Sequence, residues 1–356
     1  MRIAEFDPAT DAGMVLACYR IYAAGKPADD PHGPLLALPF FTGWFQAGWA
    51  GHPRETVAAC IGSGGVGGSG GSGDSGGWAG ACLLELPGDT NAHLGELTIL
   101  VAPGQRRRGL GAELLRHAAQ RARDHGRTLL WGETRGGSAG SAFAAAMGAR
   151  AELVEVRRVL ELDGIPAGQL ARLRGQAEAA ASGYSLIRWT GPVPAEHLDQ
   201  VVAVKAAMAD APRNPGEEEL RTDAARIRRN EQHAAGQGMR RYSVAARCDR
   251  TGELAGLTQV DVDPGNLAWA FQLDTAVTRA HRGRRLGLLM KTAMLDWLAR
   301  AEPGVRRIQT GNADSNRHMI AVNAALGYRI LDTWQSWEID VAAILAAPPA
   351  SGNANS

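Results

Sequence analysis

Several features that would assign a chain at a glance are missing. The four cysteines, Cys18, Cys60, Cys82 and Cys248, form no CxxC pair and lie far apart. That spacing excludes a zinc knuckle or a disulfide framework and leaves reduced core thiols. Neither sign of charge is in excess: 38 Lys and Arg face 37 Asp and Glu, for a formal net charge of +1. Nothing in that balance attracts a polyanion, so neither nucleic acid nor a membrane is expected as partner. No run of about 18 apolar residues occurs. The N-terminus, MRIAEFDPATD, carries acids where a secretion signal needs a basic patch and an apolar stretch. The cytoplasm is the expected compartment. His32 and His281 have no metal-ligand spacing, so no metal is expected.

What is present is ordinary globular composition, 45% hydrophobic and 21% charged, in 356 residues. That length exceeds what one core usually supports and predicts two domains. Gly62 to Gly80 is almost pure Gly and Ser between the strand-like TVAACI and ACLLEL, which reads as a flexible hairpin loop. A second break, PAGQLARLRGQAEAAASG, is Ala- and Arg-rich, with a helical look and little apolar periodicity. The expected organisation is an N-terminal domain over 1–162, a linker at 163–183, a C-terminal domain over 184–345 and a disordered tail at 346–356. Both halves show the same order of elements around a strand, a basic Gly loop and a helix. The repeat is explicit in the residues, because 277 − 101 = 176 pairs Val101 with Val277 and the offset holds through the loop. It matches Arg106 with Arg282, Arg108 with Arg284, Leu110 with Leu286 and Gly111 with Gly287.

The loop VAPGQRRRGLGAELL places glycines and arginines between a strand end and an amphipathic helix. Glycines let backbone N–H groups converge, the helix N-terminus carries partial positive charge, and arginines add charge-assisted hydrogen bonds, so the junction suits a pyrophosphate. A Walker loop is excluded because no Lys-Ser/Thr follows the last Gly, and the dinucleotide fingerprint fails because GLGAEL lacks its third Gly.

These residues resemble the Gcn5-related N-acetyltransferase (GNAT) family, whose acetyl-CoA loop reads Arg/Gln-x-x-Gly-x-Gly/Ala after an L-x-V-x-P-like strand end. Arg106, Gly109 and Gly111 match it, preceded by Ile99, Val101 and Pro103. The resemblance covers nearly the whole chain, in a tandem layout similar to mycothiol synthase-like members. It implies an α/β fold of two tandem acyl-CoA N-acyltransferase domains, each a mixed central sheet flanked by helices. It also implies acetyl-CoA as cosubstrate, a small-molecule amine as acceptor, and a monomer or homodimer. By resemblance, the backbone of Ile99, Leu100 and Val101 would pair with pantetheine, while Arg106, Arg107, Arg108, Gly109, Leu110, Gly111 and Ala112 would wrap the pyrophosphate. In the second copy Thr275, Ala276 and Val277 would take the first role, and Arg282, Gly283, Arg284, Arg285, Leu286, Gly287 and Leu288 the second. Arg285 departs from the pattern, standing where the first Gly is expected. The segment IQTGNADSNRHMIAVNAALGY resembles the family's closing motif, with Asn312 and Asn316 as cofactor contacts and Gly137 at the place of Asn316 in the first copy.

Amine acetylation needs a proton acceptor, an oxyanion donor and an acid for the departing thiolate. By analogy the oxyanion donor is the N–H of Val101 or Val277. The family's Tyr acid is replaced by Ala144 in the first copy and Asn323 in the second. Glu96 is the expected base, with Gln272 as its counterpart in the second copy; its alternative is an exposed strand position without a role. Glu133 is the second candidate, and Asp274 is the best carboxylate near the second site, with a residue of no catalytic role as its favoured alternative. The stretch Gly25 to Trp49 is rich in Pro and aromatics: Asp29 and Asp30 could draw a cationic amine and Trp44 and Trp49 could wall it, or the stretch simply packs on the core. Three functions follow: an N-acetyltransferase working in the first copy, one working in the C-terminal copy, or a non-catalytic acyl-CoA sensor.

Overall fold

The computed structural model describes residues 2–48, 54–62, 77–88, 90–207, 218, 222–313 and 316–348. They form two compact units. The first comprises Met1–Val154, Asn214–Glu218 and Thr333–Ser356, and the second Glu155–Arg213 and Glu219–Asp332.

In the first unit, β1 (Arg2–Phe6), β2 (Arg54–Gly62), β3 (Trp78–Pro87), β4 (Leu94–Val101) and β5 (Leu129–Arg135) lie side by side in that order. All neighbours are antiparallel except β4 and β5. β3, with ACLLEL at its centre, is buried from end to end, as a central strand covered on both faces must be. One face carries α1 (Ala12–Asp29) and α2 (Leu38–Ala47), whose Val15, Ile21, Phe41 and Phe45 pack on Ala81 and Leu83. The other carries α3 (Leu110–Asp124), which turns Leu114, Leu115, Ala118, Ala119 and Ala122 inward at helical spacing. A short α4 (Ala139–Ala146) follows β5. Asp11 starts α1 by accepting the Met14 N–H at 2.9 Å.

The second unit repeats the plan with β7 (Tyr184–Thr190), α6 (Leu198–Ala206), α7 (Ala224–Gly236), β8 (Arg240–Cys248), β9 (Leu254–Val262) and β10 (Trp269–Val277). It continues with α8 (Leu286–Ala301), β11 (Arg307–Ala313) and α9 (Arg317–Leu326). Its β10 and β11 are the parallel pair.

The linear boundaries expected from sequence do not describe these units. β5 and β11 each need a partner on their outer edge, and in each case the partner comes from the other repeat. The end of β12 (Arg329–Asp340) runs antiparallel to β5, from Trp334 opposite Arg135 to Asp340 opposite Leu129. The end of β6 (Arg150–Glu161) runs antiparallel to β11, from Glu161 opposite Arg307 to Glu155 opposite Ala313. Nor does the expected linker at 163–183 hang free: it holds α5 (Gln169–Ala180), whose Leu173 and Ala177 are buried in the core of the second unit beside Leu286 and Leu289. In the first unit α10 (Val341–Ala346) buries Val341 and Ile344, so the expected tail begins inside an ordered helix, and 349–356 lie outside the described residues. β2 and β3 do pair around the Gly-rich segment, with Gly62 opposite Trp78, while 63–76 also lie outside the described residues. The four cysteines are buried free thiols.

Candidate functional site

Each unit opens a gap between its two parallel strands. β4 and β5 pair over Leu94–Glu96 and Leu129–Trp131, then both run on, to Val101 and Arg135. Where they part, Gly132 lies tight on β4: a Cβ there would stand 2.8 Å from the Leu97 carbonyl oxygen. β10 and β11 pair over Trp269–Phe271 and Arg307–Gln309 and run on to Val277 and Ala313. Here a β-bulge between Gln272 and Thr275 inserts one residue.

That bulge corrects the expected equivalence of Glu96 and Gln272. Below it the repeats align as 271 − 96 = 175, from Glu96 opposite Trp131 and Phe271 opposite Gln309. The counterpart of Glu96 is therefore Phe271, and Gln272 turns to the other face, where its Nε2 donates to the Gln259 carbonyl at 2.7 Å and to Thr258 Oγ1 at 3.1 Å. On β5 and β11 the offset becomes 309 − 131 = 178, which pairs Glu133 with Gly311 and Ser138 with Asn316. Helix capping agrees: Ser138 Oγ accepts the Ser141 N–H, and Asn316 Oδ1 accepts the Met319 N–H. Ser138, rather than Gly137, holds the place of Asn316, and Ala145, rather than Ala144, that of Asn323.

The loops beyond the gaps share one backbone path. Arg106 Nε donates to the Val101 carbonyl at 3.0 Å and Arg282 Nε to the Val277 carbonyl at 3.1 Å. Two left-handed residues follow in each loop, Arg107 (φ 63°) and Gly109 (φ 83°) in the first, Gly283 (φ 82°) and Arg285 (φ 55°) in the second. The conformation repeats while the glycine changes place, so Arg285 does not deform the cradle. The helices start at Leu110 and Leu286, and their first-turn N–H groups lack intrahelical acceptors. Gly111 is tightly packed, since a Cβ there would press on the Phe143 ring at 3.1 Å, whereas at Gly287 the nearest atom would be 3.9 Å away.

The arginines divide into fixed and exposed. Arg106 forks onto Asp29 at 2.9 and 2.6 Å, so the carboxylate expected to draw an amine is paired with the guanidinium expected on phosphate, and that guanidinium also braces the Val101 carbonyl. Arg107 and Arg108 are exposed, the latter also donating to Gln105 at 3.1 Å. In the second loop Arg282 also reaches the Ala207 carbonyl at 3.3 Å, Arg284 lies over the Tyr184 ring at 5.7 Å and Arg285 meets Gln176 at 3.3 Å. His281 shares a 2.7 Å hydrogen bond with Tyr184.

Of the other expected acceptor residues, Asp30 pairs with Lys26 at 3.1 Å and accepts the Gly33 N–H. Trp44 is packed in the core against Phe41 and Phe45. Trp49 lies outside the described residues.

The carboxylates differ between units. Glu96 is half-buried on the face of α1 and α2, directly across from buried Glu85 on β3. Beside it the Trp131 indole N–H is buried with no hydrogen-bond partner among the described residues. Glu133 lies on the same face and is exposed. In the second unit Asp274 is bound by Lys205, and that ammonium, with Arg241 and Arg226, holds its carboxyl below the ordinary range. A carboxylate so stabilised is a poor proton acceptor, which favours the reading that gives Asp274 no catalytic role.

Near α9 a buried polar chain runs from Lys291 on α8 to Asn323 Oδ1 at 2.8 Å, and from Asn323 Nδ2 to Asn312 Oδ1 at 2.9 Å. Burial lowers the Lys291 amine to about 7 and pushes the Tyr328 phenol up. Asn312 is thus tied to Asn323 through its oxygen.

Known proteins decide the family. The chain matches the acetyltransferase (GNAT) family over residues 19–148. A tandem GNAT protein from the clavulanic acid biosynthesis pathway, solved without acetyl-CoA, is 31% identical over 96% of this chain and 98% of its own, with a TM-score of 0.75. The chain belongs to the GNAT family. Two more distant structures share the fold: a GCN5-related N-acetyltransferase from Sphaerobacter thermophilus (15% identity, 95% and 96% covered, TM-score 0.62), and a glucosamine N-acetyltransferase region of a fungal GH3 beta-N-acetylglucosaminidase (12%, 95% and 38%, 0.60). No curated protein matches.

As a tandem GNAT protein the chain is an acyl-CoA-dependent N-acetyltransferase, and its family uses acetyl-CoA as cosubstrate. No described helix is long and apolar enough to cross a membrane, and no group of three metal-ligating side chains occurs among the described residues. Sequence reasoning missed Glu155 and Lys291. Lys291 carried a signal, a lone lysine within the apolar helix LLMKTAML; Glu155 carried none, because its partner Gly311 is far along the chain.

Proposed function

We propose that the protein transfers the acetyl group of acetyl-CoA to the primary amine of a small molecule by direct attack on the thioester, with the first copy as a working site. The observation that carries this reading is the parted β4–β5 pair, with Glu96 and Glu133 on one face and a left-handed loop opening onto a helix N-terminus beyond it. In this reading the backbone of Ile99, Leu100 and Val101 lines pantetheine, the Val101 N–H meets the developing oxyanion, and Arg107 to Ala112 hold the pyrophosphate. Glu96 takes the proton from the attacking nitrogen, and the unpaired Trp131 N–H offers a donor beside it. Thr275 to Val277 and Gly283 to Leu288 line a second CoA site by the same logic. Thiol release with a panel of small amines tests the proposal. Glu96→Gln is expected to remove the first copy's share of turnover while leaving acetyl-CoA affinity intact; unchanged turnover would count against it.

One observation favours the sensor reading, in which the protein binds acyl-CoA without turnover: Ala145 and Asn323 stand where the family's acid is a Tyr. The same assay separates the two, since a sensor binds acetyl-CoA and releases no CoA with any amine.

A further inference from the structure

The second unit lacks both carboxylates that the first presents to its gap, with Phe271 at the place of Glu96 and Gly311 at that of Glu133. The space above Gly311 is nevertheless not empty. A Cβ built on that glycine would stand 1.5 Å from Glu155 Oε1 and 2.7 Å from its Cδ. The carboxylate of Glu155, on β6, therefore rests where the side chain of a residue at 311 would begin. Only glycine there leaves it room.

The face is the same in both units. Leu130 on β5 packs with Leu115 and Ala119 of α3, so Glu133, an odd number of residues away, lies on the opposite face. Ile308 on β11 packs with Leu289, Ala293 and other residues of α8, which puts Gly311, and the carboxylate above it, on the corresponding face. Gly311 lies two residues beyond the last β10–β11 pair, on the part of β11 that borders the gap.

Three cations there, Arg157, Lys205 and Arg241, are paired with other carboxylates. Arg157, opposite Gly311, forks onto Asp332 at 2.7 and 2.5 Å; Lys205 holds Asp274; Arg241 forks onto Asp261 at 2.8 and 2.7 Å. Desolvation raises the Glu155 carboxyl above the ordinary carboxylate range, against the opposing pull of Arg157. Asp274 and Glu155 are thus driven in opposite directions, and of the two only Glu155 is moved toward the range of a working base.

We propose that the second copy is also an acetyl-transfer site and that Glu155, delivered by β6 of the first repeat into the space above Gly311, is its proton acceptor. The amine nitrogen forms the C–N bond to the acetyl carbonyl and the C–S bond breaks. The thiolate leaves with the electron pair and takes a proton from solvent, and Glu155 accepts the proton lost by the nitrogen. The inference rests on the acetyl-CoA reading above.

The test uses the full chain with a panel of small primary amines and acetyl-CoA. In the variant Glu96→Gln/Glu133→Gln, disarmed in the first copy, CoA release should continue. Adding Glu155→Gln should lower that residual rate about a hundredfold, and adding Gly311→Ala instead should do the same by displacing the carboxylate. Calorimetry should still count two acetyl-CoA per chain in each variant, which shows that the fold is kept. Three results overturn the inference: no residual CoA release from the double variant, the same rate with and without Glu155→Gln, or uptake at one site only. Failure of the wild-type chain to bind any acetyl-CoA would instead remove the reading beneath it.

Discussion

The two phosphate-type loops reach one backbone path with different residues. The first places Gly at 109 and Arg at 107; the second places Gly at 283 and Arg at 285, and the four share the left-handed region. What repeats is a demand for positive φ at two positions, each met by glycine once and by arginine once. A non-glycine residue there costs roughly 1 kcal/mol, which each loop tolerates at a single position. The gaps below follow the same pattern: carboxylates on β4 and β5 in one copy, a carboxylate from β6 above a glycine in the other.

The comparison can be broken in several places. The largest effect is expected on α8, where Lys291 occupies the position of Leu115 (291 − 176 = 115), both of them buried. Its amine titrates at about 7 in the folded chain against 10.5 ordinarily. Between these values the unfolded chain holds a proton that the folded one lacks, so stability rises with pH across that window and is lowest, and level, below it. The difference is on the order of 5 kcal/mol. Lys291→Leu, which makes the copies alike, should flatten this dependence in urea melts followed from pH 7 to 10; a wild-type stability that does not rise over that range contradicts the account.

Next come the exposed arginines of the first loop. Arg107→Ala and Arg108→Ala should each weaken acetyl-CoA binding about tenfold, the value of one charge-assisted hydrogen bond at a solvated site, measured by titration. Arg106→Ala should instead act on stability, because it removes the fork to Asp29. Asp29→Asn isolates that fork and should cost about 1 kcal/mol by thermal melting, a figure kept low because the pair is partly exposed. If Asp29→Asn impaired the binding of a cationic amine and left stability untouched, Asp29 would be an acceptor residue after all. The smallest effect is Arg285→Gly, which relieves left-handed strain but loosens the unfolded chain, for a net gain of about 0.5 kcal/mol. Destabilisation would mean that the Arg285 contact to Gln176 matters more than the backbone.

Much of this was legible in the sequence, and the reasons are local. VAPGQRRRGLGAELL carries its turn, its helix start and its apolar periodicity within fifteen letters, and its echo around Val277 discloses the duplication. The order of elements along each repeat follows from the same patterns. What stayed hidden depends on residues far apart in the chain. No local signal marks β6 as the partner of β11 or β12 as that of β5, so the linear domain boundaries missed both exchanges. The fork of Asp29 onto Arg106 spans 77 residues, and the burial of Trp44 is set by its neighbours on α2 rather than by its own type. A single inserted residue at the β10 bulge was enough to misplace the counterpart of Glu96.

The most direct test is calorimetric titration of acetyl-CoA into the intact chain, alone and with Arg107→Ala/Arg108→Ala. Saturable uptake that weakens in the double variant is the predicted result. A chain that takes up no acetyl-CoA, or takes it up equally well without those arginines, would contradict the placement of the CoA diphosphate on the first loop.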